Sequence, residues 1–386
     1  MLIANKTIAI VGGGPGGLTL ARLLQNKGAV VKVYERDINK DVRVQGATLD
    51  LHEKSGLAAL EKAGLMEAFK SNYRPGAELM RVVDNNATIL FDEHASEKTE
   101  TFGNIYFRPE IDRGPLRNLL RASLKQNTVI WDCHFTAMEK QNEGWLLHFK
   151  NGKSYYADIV IAADGANSKI RPYITDIKPF YAGVTAIEGN IYNAAIATPQ
   201  IHALLKDGKI FAYGNAQVLI ISSKGGGDLT FYTSIKTDEY WRQANGLDYS
   251  DKLQLANWFK KDFSTWDEQW LELFENASTA FIPRPIYCMP LDQNWQTIPN
   301  LTMLGDAAHL MPPFAGEGVN MAMLDALELS ECLSSENFIS IEDAIVFYEK
   351  QMQKRAAEAA KDSLENTEWM HSENALDRML EMFSTK

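Results

Sequence analysis

The sequence predicts an α/β fold in which a parallel sheet is interrupted by an inserted antiparallel sheet and closed by a long C-terminal helix. Three observations predict it. A β-branched run ending in a glycine cluster, "KTIAIVGGG", opens the chain. Turn-rich strands fill the stretch from about 180 to 281, and a buried run, "LTMLGDAAH", then restores the earlier character.

Taken in order, "GLTLARLLQNKG" carries Leu20, Leu23 and Leu24 at helical spacing and stops at Gly28. "VVKVYER" is the next strand, which completes a βαβ unit and implies parallel pairing with a right-handed crossover. Arg113 to Leu124 reads as a helix with Leu116, Leu119, Leu120 and Leu124 on one face, and "YADIVIAADGANS" as a buried strand ending in a turn at Asp164-Gly165. "TAIEGNIYN" and "KIFAYGNAQVLIISSKGGGDLTFYTSIK" supply the antiparallel sheet. A helix, "GVNMAMLDALELSECL", follows the returning strand. Ser340 with Asp343 three residues later then gives a capping-box start to a last long helix. The expected organisation is a discontinuous nucleotide-binding domain (1–179 and 281–339), an inserted substrate-binding sheet (180–280), and a terminal helical segment (340–386) that bridges them.

The composition excludes several classes. With 386 residues, 45% hydrophobic and 23% charged, the chain is long enough to bury a core without staples. A formal net charge of -11 argues against a nucleic-acid partner, which calls for clustered Lys and Arg. Cys133, Cys288 and Cys332 are far apart and form no C-x-x-C pair, so neither a disulfide framework nor a zinc site is expected, and a reducing cytoplasm is. No apolar run approaches the roughly 18 residues of a membrane span, and no heptad seam suggests anything beyond a monomer.

Gly12-Gly13-Gly14-Pro15-Gly16-Gly17 fits G-x-G-x-x-G between a strand and a helix. Gly12 would make the tight turn, Gly14 would let a pyrophosphate approach the backbone, and Gly17 would let helix and strand pack closely. Pro15 suits the first helical position, where the free N–H groups meet phosphate. Glu35, eighteen residues after Gly17, is placed to accept hydrogen bonds from a ribose hydroxyl. Arg36 beside it either contacts adenine or phosphate or faces solvent.

A nucleotide extended across the sheet needs contacts far from its pyrophosphate. Asp306 ends a strand, where its carboxylate can accept from a sugar-alcohol hydroxyl. "PPFAGEGVN" starts a helix at Gly316 and Gly318, and its N-terminal N–H groups carry partial positive charge. That suits a ring that becomes anionic on reduction, and a flavin has both a ribityl chain and such a ring. His309 reads as a packed core histidine. His52, His309 and His371 are scattered, so no residue is assigned as a catalytic acid or base and no metal is expected.

At these residues the chain resembles the class A flavin monooxygenases of the para-hydroxybenzoate hydroxylase type. "GGGPGGLTLARLLQNKG" with "VYER", "AADGANSKIR" and "GDAAHLMPPFAGEGVN" are similar to that family's three cofactor motifs, in the same order. "GATLDLHEKSG", "NTVIWD" and "FSTWDE" are most similar to its tetracycline-inactivating branch. The resemblance implies FAD and NADPH as cofactors and dioxygen as co-substrate, with a C4a-hydroperoxide delivering oxygen to an electron-rich carbon. It implies Arg43 toward NADPH, Asp50 and Arg113 toward FAD, and Asp164 near both. Asp306, Pro313, Gly316, Gly318, Val319 and Asn320 would take the ribityl and the ring. Glu317 departs from that branch's glutamine. An acid at a helix N-terminus is worth only about 0.3–1 kcal/mol, yet its charge there bears on flavin potential. Where the tetracycline-inactivating members hold the drug's polar edge with Gln, Arg and His, this chain has Glu188, Lys209 and Thr230, while Phe314 and Met370 keep the apolar side. The expectation is a hydroxylase of a polycyclic or aromatic substrate, with a hydroxylase that does not accept tetracycline, or a flavin-dependent reductase, as the alternative.

Overall fold

The computed structural model describes residues 2–41, 46–95 and 101–384. Its first layer is a five-stranded parallel sheet in the order Leu301–Met303, Ile159–Ala162, Thr7–Val11, Val30–Tyr34, Val129–Ile130. Ile8, Ile10, Val33, Ile159, Val160, Ile161, Leu301 and Met303 are fully or almost fully buried, the run of β-branched and aliphatic residues expected of strands covered on both faces. The helix Pro15–Asn26 follows the first strand with proline at its start, and Gly28 lies just beyond its end with φ +82°. A three-stranded antiparallel sheet (Phe135–Gln141, Gly144–Phe149, Ser154–Ala157) precedes the strand that ends at Ala162.

The second layer is a seven-stranded sheet in the order Ile282–Cys288, Phe180–Ile191, Leu229–Lys236, Gln217–Ser223, Lys209–Gly214, Met80–Asp84, Ile89–Asp92. The inserted strands pair antiparallel, as their turn-separated pattern predicts. Two further strands come from the "MRVVDNNATILFD" hairpin, and Met80–Asp84 joins the sheet in parallel with Lys209–Gly214. That hairpin lies outside the elements expected from the sequence. One face packs on the helices Lys252–Asp262 and Leu271–Glu275 through Phe231, Phe259, Phe263, Trp270 and Phe274. The Phe259 and Phe274 rings stack at 4.5 Å.

The terminal helix Ile341–Met370 begins at the expected capping box. The Ser340 hydroxyl accepts from the Asp343 N–H at 3.0 Å, and the Asp343 carboxylate accepts from the Ser340 N–H at 3.1 Å, a cap worth about 0.5–2 kcal/mol. Its first turns bury Ile345, Tyr348 and Met352 in the core of the parallel sheet. Its last turn buries Trp369 and Met370 against Tyr213 and Val218 on the free face of the seven-stranded sheet. Each such side chain contributes about 1.5–3 kcal/mol, so the helix is fastened to both layers. A shorter helix, Ala375–Ser384, lies on the same free face.

Candidate active site

The carboxyl ends of the parallel strands form a cradle whose shape is set by missing Cβ atoms. Gly12 has φ +115°, and a Cβ there would lie 2.1 Å from the Ala163 carbonyl oxygen. A Cβ on Gly17 would lie 2.2 Å from the Gly12 carbonyl oxygen, so the helix sits on the strand as the fingerprint requires. A Cβ on Gly14 would meet nothing within 4 Å. The open space is therefore at the start of the helix, where N–H groups point outward and Pro15 has none to offer.

Glu35 is buried at the end of the second strand, but it already binds protein. Its Oε2 accepts from the Gly13 N–H at 2.7 Å and its Oε1 from the Asp37 N–H at 3.0 Å. Arg117 lies 3.5 Å from Glu35 and 3.0 Å from Asp37, and its Nε donates to the Gly13 carbonyl at 3.2 Å. The sequence reading passed over Arg117. The signal was there, since it is an arginine flanked by Leu116 and Leu120 on the apolar side of the helix Arg113–Ala122. Arg36 is exposed. Arg43 lies outside the described residues.

Across the cradle, Asp164 accepts the Lys169 N–H at 2.9 Å through Oδ2, while its Oδ1 is buried with no hydrogen-bond partner among the described residues. Burial holds this carboxyl above its ordinary range. Arg171, a second residue not singled out from sequence, ties this loop to the next strand end: it donates to the Ala307 carbonyl at 2.7 Å and to the Asp306 carbonyl at 2.8 Å. The half-buried Asp306 side chain makes no hydrogen bond to the described residues; burial raises its pKa, and the nearby positive charges of His309, Arg113 and Arg171 oppose that rise. Arg113 is exposed, with its Nε beside Gly46.

Behind Asp306 the histidine reads as expected. His309 is buried and bonded to Asp325 at 2.5 Å, and Asp325 also accepts from the Gly305 N–H at 2.9 Å and from Arg355 at 2.6 Å. Despite burial, the Asp325 charge keeps His309 above its ordinary value.

The loop before the helix Gly318–Ser334 turns at Gly316, φ +69°, where a Cβ would come within 3.1 Å of the Asp50 carboxylate. Pro313 is exposed, Phe314 and Val319 are half-buried, and Gly318 leaves 3.9 Å between a Cβ and Asp306. Asn320 is completely buried, and its amide is engaged by protein. Its Oδ1 accepts from the N–H of His52 and of Gly56, and its Nδ2 donates to the carbonyls of Asp50 and Gly316. It fastens the 50–56 segment to the loop. His52 lies 3.0 Å from Asp50 and 3.4 Å from Glu317. Burial alone would lower its pKa, but these two partners raise it to about 8. Burial likewise opposes ionisation of Asp50, yet the His52 hydrogen bond and the Lys209 and Arg108 charges bring it to about 2.

The free face of the seven-stranded sheet looks across this loop. Met80, Phe211, Ile220 and Phe314 form a half-buried apolar strip around buried Met370. Each polar residue expected to meet substrate already has a protein partner. Glu188 accepts from Arg284 Nε at 2.7 Å, Lys209 is ion-paired with buried Glu110, and Thr230 donates to Asn190 at 2.7 Å. At one end of the strip, His371 Nε2 meets the Ser234 hydroxyl and Nδ1 meets the Thr367 carbonyl, both at 2.8 Å, with the Phe314 ring 5.2 Å away. Burial lowers His371 to about 4, so it is neutral.

The cradle fits a flavin nucleotide on three observations. Gly14 leaves room at a helix start for pyrophosphate, Asp306 offers a carboxylate with no donor among the described residues, and the loop at 313–318 leads into a second helix start.

Comparison with known proteins agrees with that geometry. The sequence profile of the FAD binding domain family matches residues 5–245 and 293–361. Monooxygenase penA of Penicillium thymicola is 26% identical, with 96% of this chain and 97% of that protein aligned. An FAD-containing monooxygenase of Photorhabdus luminescens superposes with a TM-score of 0.76 at 25% identity, covering 97% of this chain and 99% of the other. The tetracycline destructase Tet(55) shares the fold at a TM-score of 0.74 and 19% identity, covering 95% and 90%.

Proposed function

The chain belongs to the FAD binding domain family of flavoprotein hydroxylases, and we propose that it hydroxylates an aromatic or polycyclic substrate lying along the apolar strip between Phe314 and the seven-stranded sheet. The observation that carries this reading is the position of Phe314. It packs on the sheet's free face while belonging to the same short loop as Gly316 and Gly318. A substrate on the strip would therefore adjoin the loop that takes the flavin ring. Bound FAD supplies the redox and oxygen-transfer chemistry that such a hydroxylation needs.

The chain's own residues bind, orient and exclude water. Gly12, Gly14, Pro15 and Gly17 shape the pyrophosphate cradle, with Glu35, Arg36 and Arg113 around the ADP half. Asp164 and Asp306 hold the sugar and ribityl hydroxyls as acceptors. Pro313, Gly316, Gly318, Val319 and Asn320 set the ring loop, and Asp50 stands against its turn. Met370 and neutral His371 close the dry end of the strip, where an uncharged wall favours an apolar ligand. In functional terms, residues 1–179 with 281–339 carry FAD, 180–280 carry substrate with the 80–92 hairpin lent to their sheet, and 340–386 bridge them. NADPH as reductant, a cytoplasmic setting and a monomeric state complete the reading; three unpaired cysteines support the reducing compartment. Among the described residues no helix is long and apolar enough to cross a membrane.

The partners of Glu188, Lys209 and Thr230 favour a substrate other than tetracycline, because a drug's polar edge would have to displace Arg284, Glu110 and Asn190. The test is NADPH oxidation by FAD-loaded protein with a panel of phenols, enols and tetracycline, with mass analysis of each product. Stimulated oxidation with a product one oxygen heavier supports hydroxylation. Stoichiometric NADPH oxidation with a reduced product containing no added oxygen would replace it with the reductase reading.

A further inference from the structure

The loop at 313–318 carries a contradiction. The helix Gly318–Ser334 begins there, and its unpaired N–H groups favour negative charge nearby. Yet Glu317 places a carboxylate at that same start, and Asp50 adds a second against the turn at Gly316. Two acids so close would oppose any ring that gains negative charge at the loop.

His52 resolves it by geometry. Its Nε2 lies 3.0 Å from one carboxylate oxygen of Asp50 and its Nδ1 lies 3.4 Å from one of Glu317. The Nε2 contact is a hydrogen bond and the Nδ1 contact a longer ion-pair distance, and the imidazolium, with an N–H on each ring nitrogen, is the form that serves both carboxylates. The backbone on either side is pinned, because the His52 N–H donates to Asn320 and Asn320 in turn holds the carbonyls of Asp50 and Gly316. Other charges face the cluster from neighbouring elements. Arg108 is 3.8 Å from Asp50, and Lys209 reaches toward Asp50 from the substrate sheet while paired with Glu110.

We propose that His52 is a positioning residue for flavin reduction: as an imidazolium between Asp50 and Glu317 it neutralises the acid at the start of the helix Gly318–Ser334, and so keeps the loop favourable to a ring that gains negative charge. This rests on the reading that the loop takes the flavin ring. Since His52 is raised to about 8, the compensation is largely present at neutral pH and is lost as pH rises through that value.

The experiment uses the full chain reconstituted with FAD. Flavin absorbance reports uptake, and reductive titration against a reference dye reports the midpoint potential between roughly pH 6 and pH 9. His52→Gln is expected to weaken the preference for reduced over oxidised FAD roughly tenfold at neutral pH, the order expected for loss of one charge beside the loop in a protein-like dielectric. For a two-electron couple that is a fall of about 30 mV. Beyond the pH slope that both proteins share from proton uptake by the flavin, the wild type should lose its advantage over His52→Gln as pH passes about 8. Glu317→Gln, which removes the acid instead, should restore most of the potential when combined with His52→Gln.

A purely structural His52 would instead lower thermal stability equally in both backgrounds and leave the potentials parallel. Normal FAD uptake with potentials independent of His52 and Glu317 overturns the proposal and leaves the flavin site standing. Failure of the wild type to take up FAD at all overturns both.

Discussion

The two sheets solve the problem of holding a ligand in opposite ways. Around the parallel sheet the site is made of backbone: three glycines whose missing Cβ atoms decide what fits, two helix starts, and the carboxylates Asp164 and Asp306, each with an acceptor atom that no donor among the described residues meets. On the seven-stranded sheet the site is made of side chains, and every polar residue singled out there is already paired. A backbone site is written locally and accepts one class of ligand. A side-chain site is written across distant parts of the chain and is open to retuning.

That contrast can be broken at its base by Asp325→Ala, the largest effect expected. Asp325 is 1% exposed and joins His309, Arg355 and the Gly305 N–H behind the cradle. Its loss leaves the buried His309 without its carboxylate and Arg355 with Glu328 alone, and should cost about 3–5 kcal/mol in a denaturant titration. In the wild type the pH signs are opposite for the two partners. Burial would raise the Asp325 pKa, but the His309 charge holds it below the ordinary carboxylate value, so its stabilisation fades as pH falls through that lowered value. His309 is held above its ordinary value, and its share fades as pH rises through it. A loss under about 1 kcal/mol, the worth of an exposed pair, would mean that the cluster does not anchor the strand end.

The next effect separates two glycines of one motif. Gly17→Ala meets a carbonyl at 2.2 Å and should cost stability at the upper end of the ~1–3 kcal/mol range for overpacking. Gly14→Ala meets nothing and should stay within about 0.5 kcal/mol of wild type, while flavin content after reconstitution falls. Equal behaviour of the two variants would remove the case for an open pyrophosphate cradle.

On the substrate sheet, Lys209→Met strands the carboxylate of Glu110, and should cost about 2–3 kcal/mol. That is below the full figure for a buried pair because the lysine side chain is 19% exposed. Adding Glu110→Gln should recover most of it. A rise in KM without loss of stability would instead make Lys209 a substrate contact and blur the distinction between the sheets. Smallest is Lys236→Ala, which breaks the exposed pair with Glu368 and should change stability by less than about 1 kcal/mol.

Legibility in the sequence follows the same division. Gly12, Gly14, Gly17 and Asp306 could be read because a turn, a close approach or a strand end demands that residue type within a few positions. The capping box at Ser340 was readable for the same reason. Arg117 and Arg171 were not, since their partners are carbonyls and carboxylates that only the fold brings near. Asn320 was read only as part of the ring motif; its partners at 50, 52 and 56 are some 270 positions away, so its role as a strap was invisible. The hairpin Met80–Asp84 and Ile89–Asp92 was missed because its neighbour in the sheet begins only at Lys209.

The connectivity of the parallel sheet has a consequence for the chain's birth. Ile159–Ala162 pairs on one side with Thr7–Val11 and on the other with Leu301–Met303. At about 5–20 residues per second of synthesis, on the order of ten seconds pass between the emergence of Ile159–Ala162 and that of its last neighbour. Throughout that interval a β-branched strand presents an unpaired edge, the kind of surface on which nascent chains stick to one another. The demand this protein makes on ribosome-associated chaperones is therefore set by the order in which its strands are translated, and an enzyme that is stable once finished is most vulnerable from the point at which more than half of it remains unmade.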